Sequence, residues 1–155
     1  MKRRLLIVLC LLCMLMNLLV FSVSAEASGD CGDNATWSLS DDGVLTISGT
    51  GAVRDYIYEG ASLWPLIKAP WRSHSSRVKK IVINSGITRI GDNAFAGSGI
   101  KSVSIPDNVS YIGVCAFENC KVLSSVKLSK SVKAINSATF KGCSALAKIA
   151  LPASV

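Results

Sequence analysis

At 155 residues and 16.4 kDa the chain has room for one modest domain. Three of its seventeen Lys and Arg stand at the extreme N-terminus; the other fourteen face ten acids and leave +4, too little for a dedicated nucleic-acid surface. The single histidine, His74, nearly removes imidazole-based metal and acid–base sites, and the 50% apolar content owes much to one stretch rather than to many membrane spans.

That stretch comes first. Lys2-Arg3-Arg4 precedes Leu5–Ala25, where only Asn17, Ser22 and Ser24 interrupt the apolar run. A basic start, an apolar body over 5–21 and small residues at Val23-Ser24-Ala25 predict a signal peptide over 1–25, cut between Ala25 and Glu26. The other reading is an uncleaved anchor, because seventeen helical residues reach about 26 Å. Both readings place the rest of the chain outside the cytoplasm, with membrane contact only through this segment.

Residues 26–77 form the next unit. Trp37-Ser38-Leu39 and Val44-Leu45-Thr46-Ile47 alternate around Asp42-Gly43, which predicts a β-hairpin. Gly49–Gly51 marks its exit, and an aromatic loop follows with Tyr58, Trp64 and Trp71 near Pro65 and Pro70. A repeat array needs its first apolar face covered, so the region reads as an N-terminal cap. The alternative is an exposed aromatic platform flanked by Arg54, Lys68 and Arg72. His74, in Ser73-His74-Ser75-Ser76, reads as a solvated loop residue.

From Val78 onward the chain repeats itself. Units span 78–99, 100–122 and 123–145, with a partial fourth over 146–155, a period of 22 and then 23 residues. Apolar residues recur in register: Val78, Ile100, Leu123, Leu146; Ile81, Val103, Val126, Ile149; Ile83, Ile105, Leu128, Leu151; and Ile87, Val109, Val132, Val155. Ile90, Ile112, Ile135 and then Phe95, Phe117, Phe140 complete the set. Such columns are apolar ladders along a solenoid axis, each coil burying its face only against its neighbours. Val103-Ser104-Ile105 alternates like a strand, and Pro106-Asp107-Asn108 turns the chain out of it. Gly91, Gly113 and Asn136 share a column, and tolerance of positive φ explains both residue types. Ser98, Cys120 and Cys143 share another, read as small, buried and weakly polar. A Cys120–Cys143 disulfide is the second reading for that column.

The segments VSIPDNVSYIGVCAFENC and IVINSGITRIGDNAF resemble the BspA-type leucine-rich repeat of secreted and cell-surface proteins. The likeness covers Val78–Val155, and the CGDNATWSLSDDGVLTISGTGA segment with Ala69-Pro70-Trp71 is similar to regions preceding such repeats. Ser98, Asn136 and Thr139 depart from the pattern. The fold expected is mainly β with short helical turns: a leucine-rich repeat solenoid preceded by a β-hairpin cap.

Chemistry is sparse. No G-x-S-x-G elbow occurs, no Gly-rich phosphate loop opens a helix, and the Cys spacings make no zinc knuckle. The expectation is a protein without catalysis, metal or cofactor. What the surface offers is a strip of outward strand positions, the candidate ligand-binding residues Lys80, Ser102, Ser104, Ser125, Lys127 and Lys148, with Val82 and Ala150 between them. Lys121, Lys130, Lys133 and Lys141 add positive charge nearby. The resemblance implies an exported adhesion or binding module for an extracellular protein or carbohydrate. A targeting module of a longer surface enzyme and a structural spacer are the alternatives. Because Val155 falls in mid-repeat, the natural polypeptide is expected to be longer.

Overall fold

The hairpin forms where the alternating pattern puts it. In the computed structural model, which describes residues 27–57 and 68–155, β2 (Ala35–Leu39) pairs antiparallel with β3 (Val44–Gly49), and Trp37 faces Ile47. Gly43 takes φ +87° at the turn, where the Ser40 hydroxyl donates to the Asp42 carboxylate. That bond holds the Asp42 carboxyl below the usual carboxylate range. Leu39, Leu45 and Ile47 point into the core and are fully buried. A further strand, β1 (Ala27–Asp30), pairs antiparallel with β2. The expected leader, Ala25 and Glu26 included, lies outside the described residues, as do Tyr58, Trp64 and Pro65.

The cap joins the repeats by hydrogen bonds as well as by packing. Strand β3 runs parallel to β5 (Lys80–Ile83) in the first repeat, with Leu45 beside Ile81 and Ile47 beside Ile83. After a bend at Gly49, β4 (Gly51–Ala52) pairs parallel with β6 (Ile87–Ile90), which pairs with β8 (Tyr111–Ile112). Strand β7 (Ser102–Ser104) pairs parallel with β9 (Ser125–Lys127). Parallel pairing from each coil to the next is the geometry of a solenoid. In turns between strand rows, the Ile87, Val109 and Val155 amides donate to Asn84, Pro106 and Pro152 carbonyls at 3.0 to 3.2 Å.

The phenylalanines form the spine. Phe95, Phe117 and Phe140 stack with centroids 5.4 and 5.6 Å apart, and Trp71 extends the stack over Phe95 at 5.6 Å. Trp71 is only 2% exposed, and its indole N–H donates to the Ala94 carbonyl at 2.9 Å. The aromatic-platform reading therefore fails for Trp71, which is core. The residues from β3 to Trp71 serve as a zeroth coil, and the chain inserted between β4 and Trp71 hides its period. His74 is also not a solvated loop residue: it ends a 3-10 turn (Arg72–His74), is half-buried, and its ring lies 6.5 Å from that of Trp37.

The glycine column requires a correction. Gly91 and Gly113 do not have positive φ; left-handed backbone falls two residues later, at Asn93, Cys115 and Ala138, and again at Gly97, Asn119 and Gly142. Gly91 and Gly113 are needed for close approach. A Cβ on Gly113 would stand 2.5 Å from the Asp92 amide nitrogen and 2.6 Å from the Gly91 carbonyl carbon; one on Gly91 would meet Arg54 and Val53 backbone. At Asn136 the side-chain Nδ2 donates to the Ile112 carbonyl at 2.6 Å, where Gly113 uses its own amide to reach Ile90 at 2.9 Å. The strand row β4–β6–β8 ends at that coil.

Candidate functional site

Two faces follow from this geometry. Where each coil turns past its phenylalanine, alternate amides bond within and between coils. The amides of Asn93, Phe95 and Gly97 donate to Val114, Ala116 and Glu118 carbonyls at 2.7 to 3.0 Å; Cys115, Phe117 and Asn119 repeat this toward Ser137, Thr139 and Lys141. The Ser98 hydroxyl and the Cys120 thiol both donate to the Phe95 carbonyl, at 2.6 and 3.3 Å, and the Cys143 thiol donates to that of Phe117 at 3.1 Å. The column is small, buried and weakly polar, and its cysteines are free thiols. Burial pushes the Cys120 thiol up to about 12 and Cys31 to about 11, so both stay protonated near neutrality.

The strand side is the open one. Ser102 and Ser104 on β7 face outward beside Ser125 and Lys127 on β9, and all four are exposed. Lys80 is exposed on β5, and Lys148 is exposed in the partial fourth unit, outside any strand. Lys130 lies in the turn that follows β9, and Lys133 just past it. Lys130 is tied to Asp107, which accepts its backbone amide at 3.0 Å and forms an ion pair with its ammonium at 3.7 Å. The sequence strip thus separates into strand-face lysines and turn lysines.

The structure also adds residues that the strip lacked. Ser38 pairs with Thr46, and Thr36 with Ser48, on the outward face of the cap sheet. The Asn84 amide donates to the Ser48 hydroxyl at 3.1 Å, bridging cap to repeats. The hydroxyl-lined face belongs to the cap hairpin; on the first coil Lys80 and Val82 of β5, beside Val44 and Thr46, separate it from the Ser and Lys positions of β7 and β9. Its signal was present in the alternation of A-T-W-S-L and V-L-T-I-S, whose polar members point away from the core. Among the described residues no group of three or more His, Cys, Asp or Glu side chains is arranged to hold a metal ion.

Parallel-stacked coils with a phenylalanine spine, closed at one end by a hydrogen-bonded hairpin, define a leucine-rich repeat solenoid with an N-terminal cap. The profile of the BspA type leucine rich repeat region (6 copies) matches residues 73–155, and the chain belongs to that family. It is similar to a leucine-rich repeat protein from Eubacterium ventriosum ATCC 27560, at 34% identity and a TM-score of 0.59 over 69% of this chain and 27% of that one. It also matches a leucine-rich repeat protein from Bacteroides ovatus ATCC 8483, at 18% identity and a TM-score of 0.44 over 74% of this chain and 45% of that one. The chain therefore spans about a quarter of the first relative and less than half of the second. Comparison with curated proteins gives no match.

Proposed function

We propose that this chain is an exported, non-catalytic binding module that holds an extended extracellular carbohydrate or protein along its strand face. The observation that carries the reading is the registered outward row, Ser102 beside Ser125 and Ser104 beside Lys127, with Lys80 and Val82 of β5 between it and the hydroxyl face of the cap. Each contact on such a face is weak, and affinity comes from repetition along a rigid lattice. The leader pattern over 1–25 and the family support a place outside the cytoplasm, secreted or at the cell surface. The few acids of the described repeats are engaged structurally: Asp92 accepts the Val114 amide, Asp107 the Lys130 amide, and Glu118 pairs with Lys141 at 3.4 Å. This supports binding over hydrolysis.

The test is retention on an acidic polysaccharide resin across a salt gradient. Replacing Lys80, Lys127 and Lys148 together by Glu should abolish salt-sensitive retention, while Lys133→Glu, off the strand face, should leave most of it. Unchanged elution of the triple variant would remove the strand face from consideration as a polyanion site.

A further inference from the structure

The strand row β4–β6–β8 carries a ladder of unlike side chains. Arg89 on β6 pairs in register with Tyr111 on β8, and the 23-residue period puts Ala134 at the same place in the third coil. The guanidinium carbon of Arg89 lies 4.7 Å from the Tyr111 ring centroid and covers one face of the ring. That guanidinium is itself held. Its Nη2 donates to the Asp55 carboxylate at 2.7 Å and its Nη1 to the Val53 carbonyl at 3.4 Å, while Asp55 also accepts the Asp92 amide at 2.8 Å. The ring is therefore supported from the cap side.

Its other face looks toward the third coil, where Ala134 offers only a methyl group. With one face covered, Tyr111 is still 37% exposed, and among the described residues no other aromatic ring is exposed. The core does not need this ring, because Ile112 beside it fills the interior column and is fully buried. Thr88, Ser110 and Lys133 occupy the adjoining column, all exposed. Ser110 is fixed against Thr88, whose carbonyl accepts its amide at 3.0 Å.

An open ring face carries negative charge and attracts polarised C–H groups. A second cation is disfavoured there, since Arg89 and Lys133 already place positive charge beside it. A ring face bordered by two hydroxyls and an ammonium suits a ligand with a flat C–H face and a hydroxyl edge. A pyranose whose hydroxyls are all equatorial has both. We infer that Tyr111 is the platform of a carbohydrate subsite, taking a β-gluco-configured pyranose against the ring face that Arg89 leaves open, its edge hydroxyls toward Ser110 and Lys133. The subsite shares no residue with the strand face of β5, β7 and β9, so the two readings stand or fall separately.

The test titrates cellotetraose into the full chain labelled with nitrogen-15 and follows the Tyr111, Ile112 and Ala134 amide resonances. Saturable shifts are expected there, whereas mannitol, which has the hydroxyls without the ring, should give none. Tyr111→Ala should weaken binding about tenfold, and Tyr111→Phe should keep it, because the ring rather than its hydroxyl is the platform. Ala134→Arg covers the open face as Arg89 covers the other, and should weaken binding to a similar degree with the tyrosine still in place. Lys127→Glu, on the strand face, should leave the affinity unchanged. Absence of saturable shifts, an equal response to mannitol, a stronger response to tetraproline, unchanged affinity in Tyr111→Ala or Ala134→Arg, or weakening by Lys127→Glu would overturn the assignment.

Discussion

Replacing Gly113 separates two physical reasons for a glycine. If left-handed backbone were required, alanine would cost about 1–2 kcal/mol and asparagine, which tolerates that region, distinctly less. The structure gives the other reason: Gly113 lacks positive φ, and a Cβ would stand 2.5 Å from the Asp92 nitrogen and 2.6 Å from the Gly91 carbonyl carbon. Those are backbone atoms of the previous coil, themselves held because the Asp92 amide donates to the Asp55 carboxylate at 2.8 Å and the Gly113 amide to Ile90 at 2.9 Å. Relief requires the coils to separate, which strains the Ile90–Ile112 pairing of β6 with β8. Overpacking of this kind typically costs about 1–3 kcal/mol, and the larger asparagine should cost at least as much as alanine. Asn136 shows the native outcome of a side chain in this column, the amide group taking over the bond to the preceding coil. Equilibrium urea unfolding of Gly113→Ala and Gly113→Asn reads the difference directly. Asparagine more stable than alanine by over about 0.5 kcal/mol would refute the close-approach account and restore the conformational one. Gly97, at φ +71°, is the internal control, because there asparagine should outperform alanine; the matching position in the next coil, Asn119, has φ +56°.

Two further outcomes follow from burial. Phe117→Ala should cost about 3–5 kcal/mol, and Phe140→Ala clearly less, because Phe117 is fully buried between two rings and Phe140 is half-buried; denaturant midpoints at constant slope decide this. With its thiol raised from 9.0 to about 12, Cys120 binds a proton in the folded state that the unfolded chain releases above pH 9, so its share of stability is intact below that value and is lost as pH rises from about 9 to 12. Native-state alkylation at pH 8 should therefore spare Cys31 and Cys120 and proceed first at half-buried Cys115; rapid labelling of Cys120 without unfolding would contradict its buried setting.

The parts of this fold legible in sequence were those where one physical demand selects one residue type. Phenylalanine and branched aliphatic columns are such cases, because a stacked apolar ladder admits little else. The hairpin was legible because alternation and Asp42-Gly43 agree. The glycine column was misread because close approach and positive φ both select glycine, and Asn136 beside it imitated the second cause. One of the two left-handed columns, Gly97, Asn119, Gly142, had the same mix of Gly and Asn six residues further on. Strand β1 left no trace, since Ala-Ser-Gly-Asp has no apolar alternation and owes its conformation to pairing with β2. Gly29 there faces Trp37, whose indole nitrogen would lie 3.1 Å from a Cβ, so the strand's composition is set by its neighbour.

The cap's attachment bears on how firmly the first repeat is held. A lid held only by side chains would leave the first repeat with an unpaired strand edge, the weak point of short solenoids. Here β3 pairs with β5 and β4 with β6, and Trp71 continues the phenylalanine stack, so the cap gives the first coil strand pairing in two rows as well as ring stacking. In a quasi-linear array each unit is stabilised chiefly by its immediate neighbours. The first coil therefore has a full neighbour on its cap side, where Ile81 and Ile83 are buried beside Leu45 and Ile47. Residues that the strand face shares with the cap, Thr46, Ser48 and Asn84, sit on the best-supported coils. A ligand held there, as proposed above, would meet a surface whose spacing is already fixed by strand pairing, which limits the entropy lost on binding.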